Sequence, residues 1–314
     1  MKSEIVVNNG KVLHLGLAKG QLAANVFLVG DPARALRVAN RFDEIEHEVR
    51  NREYVTLTGT YAGIPVSVIG TGIGVDNVEI ALVEAYTVHA FDLDDCVRLA
   101  DVSPMTFIRI GTSGGVQDDI EPGTMAIAAY GLGLDNGGMY YDHPAADSVV
   151  GSIEQAAYEI LLRATPDAAR FKGRLHPYAA KATPAVVTAL AASAEAQDAA
   201  YVTGITAATP GFYGASGRYI DGLVNTVPDI KNKLAALRAG DFSVVNMEME
   251  SSLLFHLAGY LGCSVGTICP VISKPTASTA ILDYAASVES AISIALDAVC
   301  RLSGSATVST QGQS

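Results

Sequence analysis

Short, nearly continuous apolar runs recur along the chain: NVFLVG (25–30), IPVSVIGTG (64–72), TFIRIGTSG (106–114), TMAIAAYG (124–131), AYVTGITAA (200–208) and SVGTICPVIS (264–273). They are rich in β-branched residues and do not alternate with polar ones, which is the pattern of strands buried on both faces of a sheet. Between them lie stretches with helical spacing. DPARALRVANRF follows Gly30, DNVEIALVEAYTVHAF follows Gly74, and EMESSLLFHLAGYLG closes on Gly262 as a C′ residue. A long amphipathic stretch, ASVESAISIALDAVCRL, comes last, with Ala286, Ile292, Leu296 and Val299 among its inward positions. Residues 145–200 are alanine-rich and mostly helical in pattern. Strand–helix alternation predicts a single α/β domain over residues 1–302, uninterrupted by any Pro/Ser/Gly linker. The tail SGSATVSTQGQS (303–314) is small and polar and is expected to fray.

Glycine stands at the ends of the apolar runs. Gly30, the 70–74 cluster and the 111–115 cluster each follow one. In open α/β sheets ligands bind beyond the carboxyl ends of strands, where glycine lets the backbone come close to them. GTGIG lacks the GxGxxG spacing and no Gly-Lys-Ser/Thr segment occurs, so dinucleotide and nucleoside-triphosphate loops are set aside.

Composition narrows the chemistry. A net charge of −12 argues against a general nucleic-acid binder, so any bound anion must be held by a few local arginines against the overall field. Cys96, Cys263, Cys269 and Cys300 lie in apolar surroundings without a CxxC pair and read as buried free thiols of a reducing compartment. No secretory pattern or run of about 18 apolar residues occurs, which points to the cytosol and away from a membrane. The histidines are scattered with no HxxxH or His/Cys cluster, so no metal site is expected.

Two places carry candidate chemistry. In VGDPARALRVA, Pro32 opens a helix with Gly30 before it and Arg34 on its first turn, and a helix N-terminus favours an anion. In FIRIGTSGG, Arg109 lies inside an apolar strand, followed by glycine and the Thr112 hydroxyl. A charge there needs an internal carboxylate, an anionic ligand or a water-filled cleft. In NMEMES, Glu248 and Glu250 flank Met249 just before a helix. Carboxylates accept the hydrogen bonds that sugar hydroxyls donate, and a thioether offers an apolar face; the alternative is that both acids serve only the helix N-terminus. Taken alone, Arg52 at the opening of another strand reads as a solvated surface residue, and His14 between two leucines as an ordinary strand histidine.

LHLGL (13–17), VGDPAR (29–34), REYVTLTG (52–59), TGIG (71–74), RIGTSGG (109–115), GFYGASGRY (211–219) and NMEMES (246–251) together, in this order, resemble the nucleoside phosphorylase family, and its uridine phosphorylases most of all. The resemblance covers residues from about 12 to 300. It implies a three-layer α/β/α fold with a mixed, partly barrel-like central sheet. It also implies phosphorolysis of a pyrimidine nucleoside to free base and ribose 1-phosphate in nucleoside salvage, by a homo-oligomer of at least two subunits without an organic cofactor. By resemblance, Gly30, Arg34, Arg109 and Thr112 bind phosphate, and Arg52 joins them from a neighbouring subunit. Glu248, Met249 and Glu250 bind ribose, and His14 of a neighbouring subunit reaches the 5′-hydroxyl. Phe212, Ser216 and Arg218 face the base, with Arg218 stabilising it as it departs.

The match departs from the family at the base. Ser216 stands where uridine phosphorylases usually carry a glutamine that pairs with the uracil edge. Ser273 stands where related purine enzymes carry the aspartate that protonates N7, so pyrimidines stay ahead of purines. Lys274 beside it reads as a surface residue. In some relatives a monovalent cation sits at the dimer interface near positions matching Glu53 and Ile73; Asn77 here replaces the usual serine, and the cation is left open. Thymidine, deoxyuridine or a purine nucleoside is the alternative substrate, a nucleosidase the alternative reaction, and a non-catalytic nucleoside binder the alternative class.

Overall fold

The computed structural model describes residues 2–275 and 283–304. Its centre is a set of parallel strands: β1 (Asn25–Val29) lies between β4 (Ile64–Gly70) and β5 (Thr106–Ile110), and β5 pairs in parallel with β11 (Ser264–Ser273). The continuous apolar runs hide an alternation. On β1, Val26 and Leu28 pack into a cluster with α2 (Val75–Ala90) and α6 (Ser251–Tyr260). Phe27 and Val29 pack on the opposite face with α1 (Pro32–Ala39), α4 (Pro184–Ala196) and α7 (Ala285–Leu302). Both faces are covered by helices, so neither face of the strand needs polar residues.

Leaving aside two-residue strands, the other strands are β2 (Glu44–Asn51), β3 (Tyr54–Tyr61), β6 (Ser113–Gly115), β7 (Met125–Gly133), β8 (Tyr178–Lys181), β9 (Tyr201–Ala208) and β10 (Phe242–Glu248). The order across the sheet is β8-β7-β9-β10-β6-β11-β5-β1-β4-β3-β2, and β7 also pairs antiparallel with β11. That extra pairing closes β7, β9, β10, β6 and β11 into a ring, with β8 attached to β7 and with β5, β1, β4, β3 and β2 as an open extension that has β2 at its edge. The sheet is mixed and partly barrel-like, as the resemblance implies. A third cluster, under α3 (Ser148–Ala164) and α5 (Ile230–Leu234), fills the ring's far side.

Helix boundaries follow local chemistry. Asp31 caps α1 by accepting from the Ala33 N–H at 2.9 Å, with Pro32 at the first helical position. Gly262 has φ +70° after α6, the left-handed geometry expected of a C′ glycine. Among the described residues no helix is long and apolar enough to cross a membrane.

Several expectations need correction. The 106–114 run is two strands, β5 and β6, separated by Gly111 and Thr112. Residues 145–200 contain the short strand β8 between α3 and α4. Its Ala179 and Ala180 are buried against the sheet, and alanine composition alone does not separate that from a helix. Arg52 occupies the turn between β2 and β3 with φ +52°, and His14 lies in a turn, not a strand. Ala286 is exposed on the first turn of α7, whereas Ile292, Leu296 and Val299 are buried. The four cysteines are free, but Cys96 is half-buried, and Cys269 is beside a charged group instead of in purely apolar surroundings. Of the tail, Ser303 and Gly304 form a turn after α7, and 305–314 lie outside the described residues.

Candidate active site

A cavity of about 710 Å³ opens where β1, β5, β10 and β11 end. Gly30, Arg34, Arg109, Thr112, Phe212, Ser216, Arg218, Glu248, Met249 and Glu250 all line it. These ten residues come from four separate stretches of sequence, 30–34, 109–112, 212–218 and 248–250, and converge there because the parallel strands present their carboxyl ends on one side.

One end is cationic. Arg34 is 7% exposed, and its Nη1 donates to the Ile110 carbonyl at 3.0 Å. Its Nε has no hydrogen-bond partner among the described residues, and no carboxylate there forms an ion pair with it. Burial, and then the charge of Arg109, push its pKa below the usual arginine value. Arg109 shares a β5 face with Phe107, which directs it toward the α2/α6 side. Its guanidinium folds back across Gly111, where a Cβ would lie 1.9 Å from Nη1, so only glycine leaves the room. There Nη1 lies 3.0 Å from Glu248 Oε2 and donates to Cys269 Sγ at 3.2 Å, while Nη2 bonds Glu250 Oε2. Burial alone would lower the Arg109 pKa, but the two carboxylates more than reverse this and hold it above its ordinary value.

The two glutamates therefore have protein partners. Glu248 accepts from the N–H groups of Glu250 (3.1 Å) and Ser251 (3.0 Å), the first turn of α6. Glu250 Oε1 accepts from the Gly74 N–H at 2.7 Å, which fixes it against the N-terminus of α2. Both are buried, so helix capping and cavity lining, posed as alternatives for these acids, coexist in Glu248. Burial first, and then the neighbouring Glu250, push the Glu248 carboxyl up against the pull of Arg109, to about 7 in all.

The opposite end is looser and more aromatic. Phe212 is half exposed, with the Arg218 guanidinium 4.2 Å from its ring centroid and Arg218 Nε donating to the Phe212 carbonyl at 3.0 Å. Ser216 turns its hydroxyl inward, donating to the Gly211 carbonyl at 2.7 Å with Thr209 Oγ1 at 3.3 Å. Ser273 is buried in the cavity wall. Lys274 instead pairs with Glu121 at 2.5 Å, outside the lining, as its surface reading anticipates.

His14 and Arg52 do not line the cavity of their own chain. The His14 ring and backbone N–H both bond Glu84, at 2.7 and 2.9 Å. Arg52 is exposed at the tip of its hairpin. The preceding Asn51 donates its side-chain amide to the carbonyls of Leu13 (3.0 Å) and His14 (2.8 Å), so both residues share one patch of surface. Ile73, 70% exposed, stands at the cavity mouth, and Asn77 lies against Gly72, where a Cβ would meet its Nδ2 at 2.6 Å. Among the described residues no group of three or more His, Cys, Asp or Glu side chains is placed to hold a metal ion.

The profile of the phosphorylase superfamily matches residues 25–303. The chain belongs to that superfamily. It is 31% identical to the uridine phosphorylase of Thermococcus kodakarensis over 269 residues, 84% of this chain and 78% of that protein. The uridine phosphorylase of Haemophilus influenzae is 29% identical across 84% of this chain and 87% of its own length. In three dimensions the chain overlays a Trypanosoma brucei nucleoside phosphorylase, whose structure is described as showing uridine phosphorylase activity. The TM-score is 0.86 at 28% identity, covering 95% of this chain and 100% of that one.

Within this superfamily member, sequence reasoning missed three residues of the site. Gly74 reads in the sequence as the last glycine of a cluster before a helix, and its N–H bond to Glu250 has no sequence signature. Cys269 reads as a buried free thiol, yet it touches Arg109. Lys231, in the five-residue helix α5, lines the cavity; so short a helix leaves no periodicity to read.

Proposed function

We propose that the chain is a pentosyltransferase that catalyses reversible phosphorolysis of a pyrimidine nucleoside, uridine first, to free base and ribose 1-phosphate. The observation that carries this is Arg34: a buried guanidinium facing the cavity at a helix N-terminus, with no carboxylate partner among the described residues. Arg109 is already held by Glu248 and Glu250, so the charge left without a carboxylate among the described residues is that of Arg34, which an anionic co-substrate would neutralise. A hydrolase delivering water would have no use for it.

In this reading phosphate lies between Arg34, Thr112 and the Gly30 turn. Glu250 orients the sugar hydroxyls from its fixed position between Arg109 and Gly74, and Met249 packs on the ribose. As the bond from C1′ to the base stretches, positive charge develops on the sugar and faces the phosphate oxygens, whose position the arginines set beforehand. The electron pair of the breaking bond passes to the base, against Phe212 and Arg218, while a phosphate oxygen bonds C1′. Phosphate is itself the nucleophile, so neither glutamate needs the acid–base role of a glycosidase pair.

The surface patch holding His14 and Arg52 is read as the part of each subunit that completes a neighbour's site, making the active unit at least a homodimer. A cation at that interface, near Glu53 and Ile73, stays part of the proposal. The free thiols fit a cytoplasmic enzyme of nucleoside salvage.

The test is base release from uridine, thymidine, 2′-deoxyuridine, inosine and adenosine, each with and without inorganic phosphate. Phosphate-dependent uracil release is the expected result. Phosphate-dependent release of another base would keep the reaction and overturn the substrate. Release without phosphate would establish hydrolysis, and binding without turnover a nucleoside-binding relative.

A further inference from the structure

The base end of the cavity raises a problem of donors. A pyrimidine base presents carbonyl oxygens, and as the glycosidic bond breaks those oxygens take up the negative charge. Ser216 has committed its hydroxyl hydrogen to Gly211, and Arg218 uses Nε on Phe212. Neither supplies the paired amide contact that a glutamine at 216 would give.

Lys231 is placed to fill that gap. It projects from α5 into the cavity wall, and its Nζ lies 3.8 Å from where a Cβ on Gly114 would stand. The ammonium makes no hydrogen bond or ion pair among the described residues; Asp118 is the carboxylate whose field it feels, and Arg218 is the neighbouring cation. Burial, and then Arg218, lower its pKa. Gly114 has no side chain to block the approach of a base, and a Cβ there would also lie 3.3 Å from Ser273 Oγ. An ammonium without a partner, turned to a half-buried cavity, is costly unless a ligand accepts from it.

The geometry points to Lys231 as a second cationic contact for the base, donating to a ring carbonyl oxygen and stabilising the departing base anion where Ser216 offers no donor. This rests on the phosphorolysis reading. When the C1′–N bond breaks, its electron pair delocalises onto the carbonyl oxygen facing Lys231. Phosphate forms the new bond to C1′, and Lys231 keeps its proton. The substrate class that follows is a nucleoside whose base offers a carbonyl oxygen at this edge, favoured further as the free base becomes more acidic.

The experiment compares wild type, Lys231→Met and Lys231→Arg in single-turnover phosphorolysis of uridine and of 5-fluorouridine, whose base is the more acidic leaving group. In parallel, calorimetry measures binding of 5-fluorouracil at a pH where the base is neutral and at one where it is ionised. Lys231→Met is expected to slow uridine cleavage about 10- to 100-fold, as loss of a charged hydrogen bond does, and 5-fluorouridine cleavage distinctly less, with the KM for phosphate unchanged. Lys231→Arg should restore most of the rate. Equal losses on both substrates, or none, would overturn the inference while leaving phosphorolysis intact. If wild type cleaves no nucleoside, the proposed reaction fails and binding decides alone. Selective loss of the ionised base in Lys231→Met would keep Lys231 as the base contact, and unchanged binding would remove it.

Discussion

Arg34 and Arg109 sit in the same cavity wall with opposite circumstances. Among the described residues Arg109 meets two carboxylates, and Arg34 meets a backbone carbonyl and no carboxylate. Replacing Arg34 with methionine keeps most of the buried volume and removes the unmatched charge. We expect the KM for phosphate to rise about 10- to 100-fold in initial-rate assays, with nucleoside binding little changed. Glu248 makes a second prediction, through pH. The folded chain holds its proton up to about pH 7, whereas an ordinary glutamate releases it near 4.5. Its contribution to stability is therefore complete below about pH 4.5 and is lost as the pH rises through about 7. In phosphate-free buffer the wild-type Tm should fall across that window, and Glu248→Gln should flatten the fall, in thermal melts taken at half-unit steps. Both acids were legible as site residues because carboxylates before an apolar helix call for explanation. Their grip on Arg109 was not, because it needs the side chain to fold back over Gly111, a matter of three-dimensional clearance.

At the scale of elements, the functional break is the interruption between β5 and β6. A run that reads as one strand stops at Gly111, and the space so made holds the guanidinium. Gly111→Ala should displace Arg109 and cost at least about 1–3 kcal/mol, as crowding of a packed interior does, with phosphorolysis lost in proportion. Urea unfolding alongside activity assays checks it. The apolar strands and the helices after Gly30 and Gly74 were readable because burial on both faces leaves long apolar runs and because Asp31, Pro32 and Gly262 mark helix ends. β2 and β8 were not. EIEHEVRN is an edge strand with few apolar residues, and β8 is four residues of mostly small side chains. The alternation in EIEHEVRN has only Ile45 and Val49 as apolar members, and β8 is too short for a periodic signal.

For the whole molecule, the question is which copy of the chain uses His14 and Arg52. Asn51 ties both to one patch outside the chain's own cavity. If neighbours complete each other's sites, Arg52→Ala and Glu250→Ala are each inactive alone. Co-expressed, they should regain about a quarter of wild-type activity, because half of randomly paired dimers are mixed and one of two sites in each is whole. No recovery in purified mixed dimers would place Arg52 outside any site. Sequence reading named the arginine and glutamate walls of the cavity through motifs fixed to strand ends, and Phe212, Ser216 and Arg218 at its aromatic end; Asp229, Lys231 and Asn232, on a short helix and the loop before it, carry no such signal.

The open side of the sheet has a different consequence. It ends in β2, whose unpaired backbone edge carries exposed Glu44, Glu46, Glu48 and Arg50. A bare strand edge is a template on which another chain can add its own backbone, the first step toward fibrillar stacking. Here a second copy laid in register would bring three glutamates against three glutamates. The same strand that carries Arg52 at its tip thus also keeps crowded copies of the protein from zipping together edge to edge.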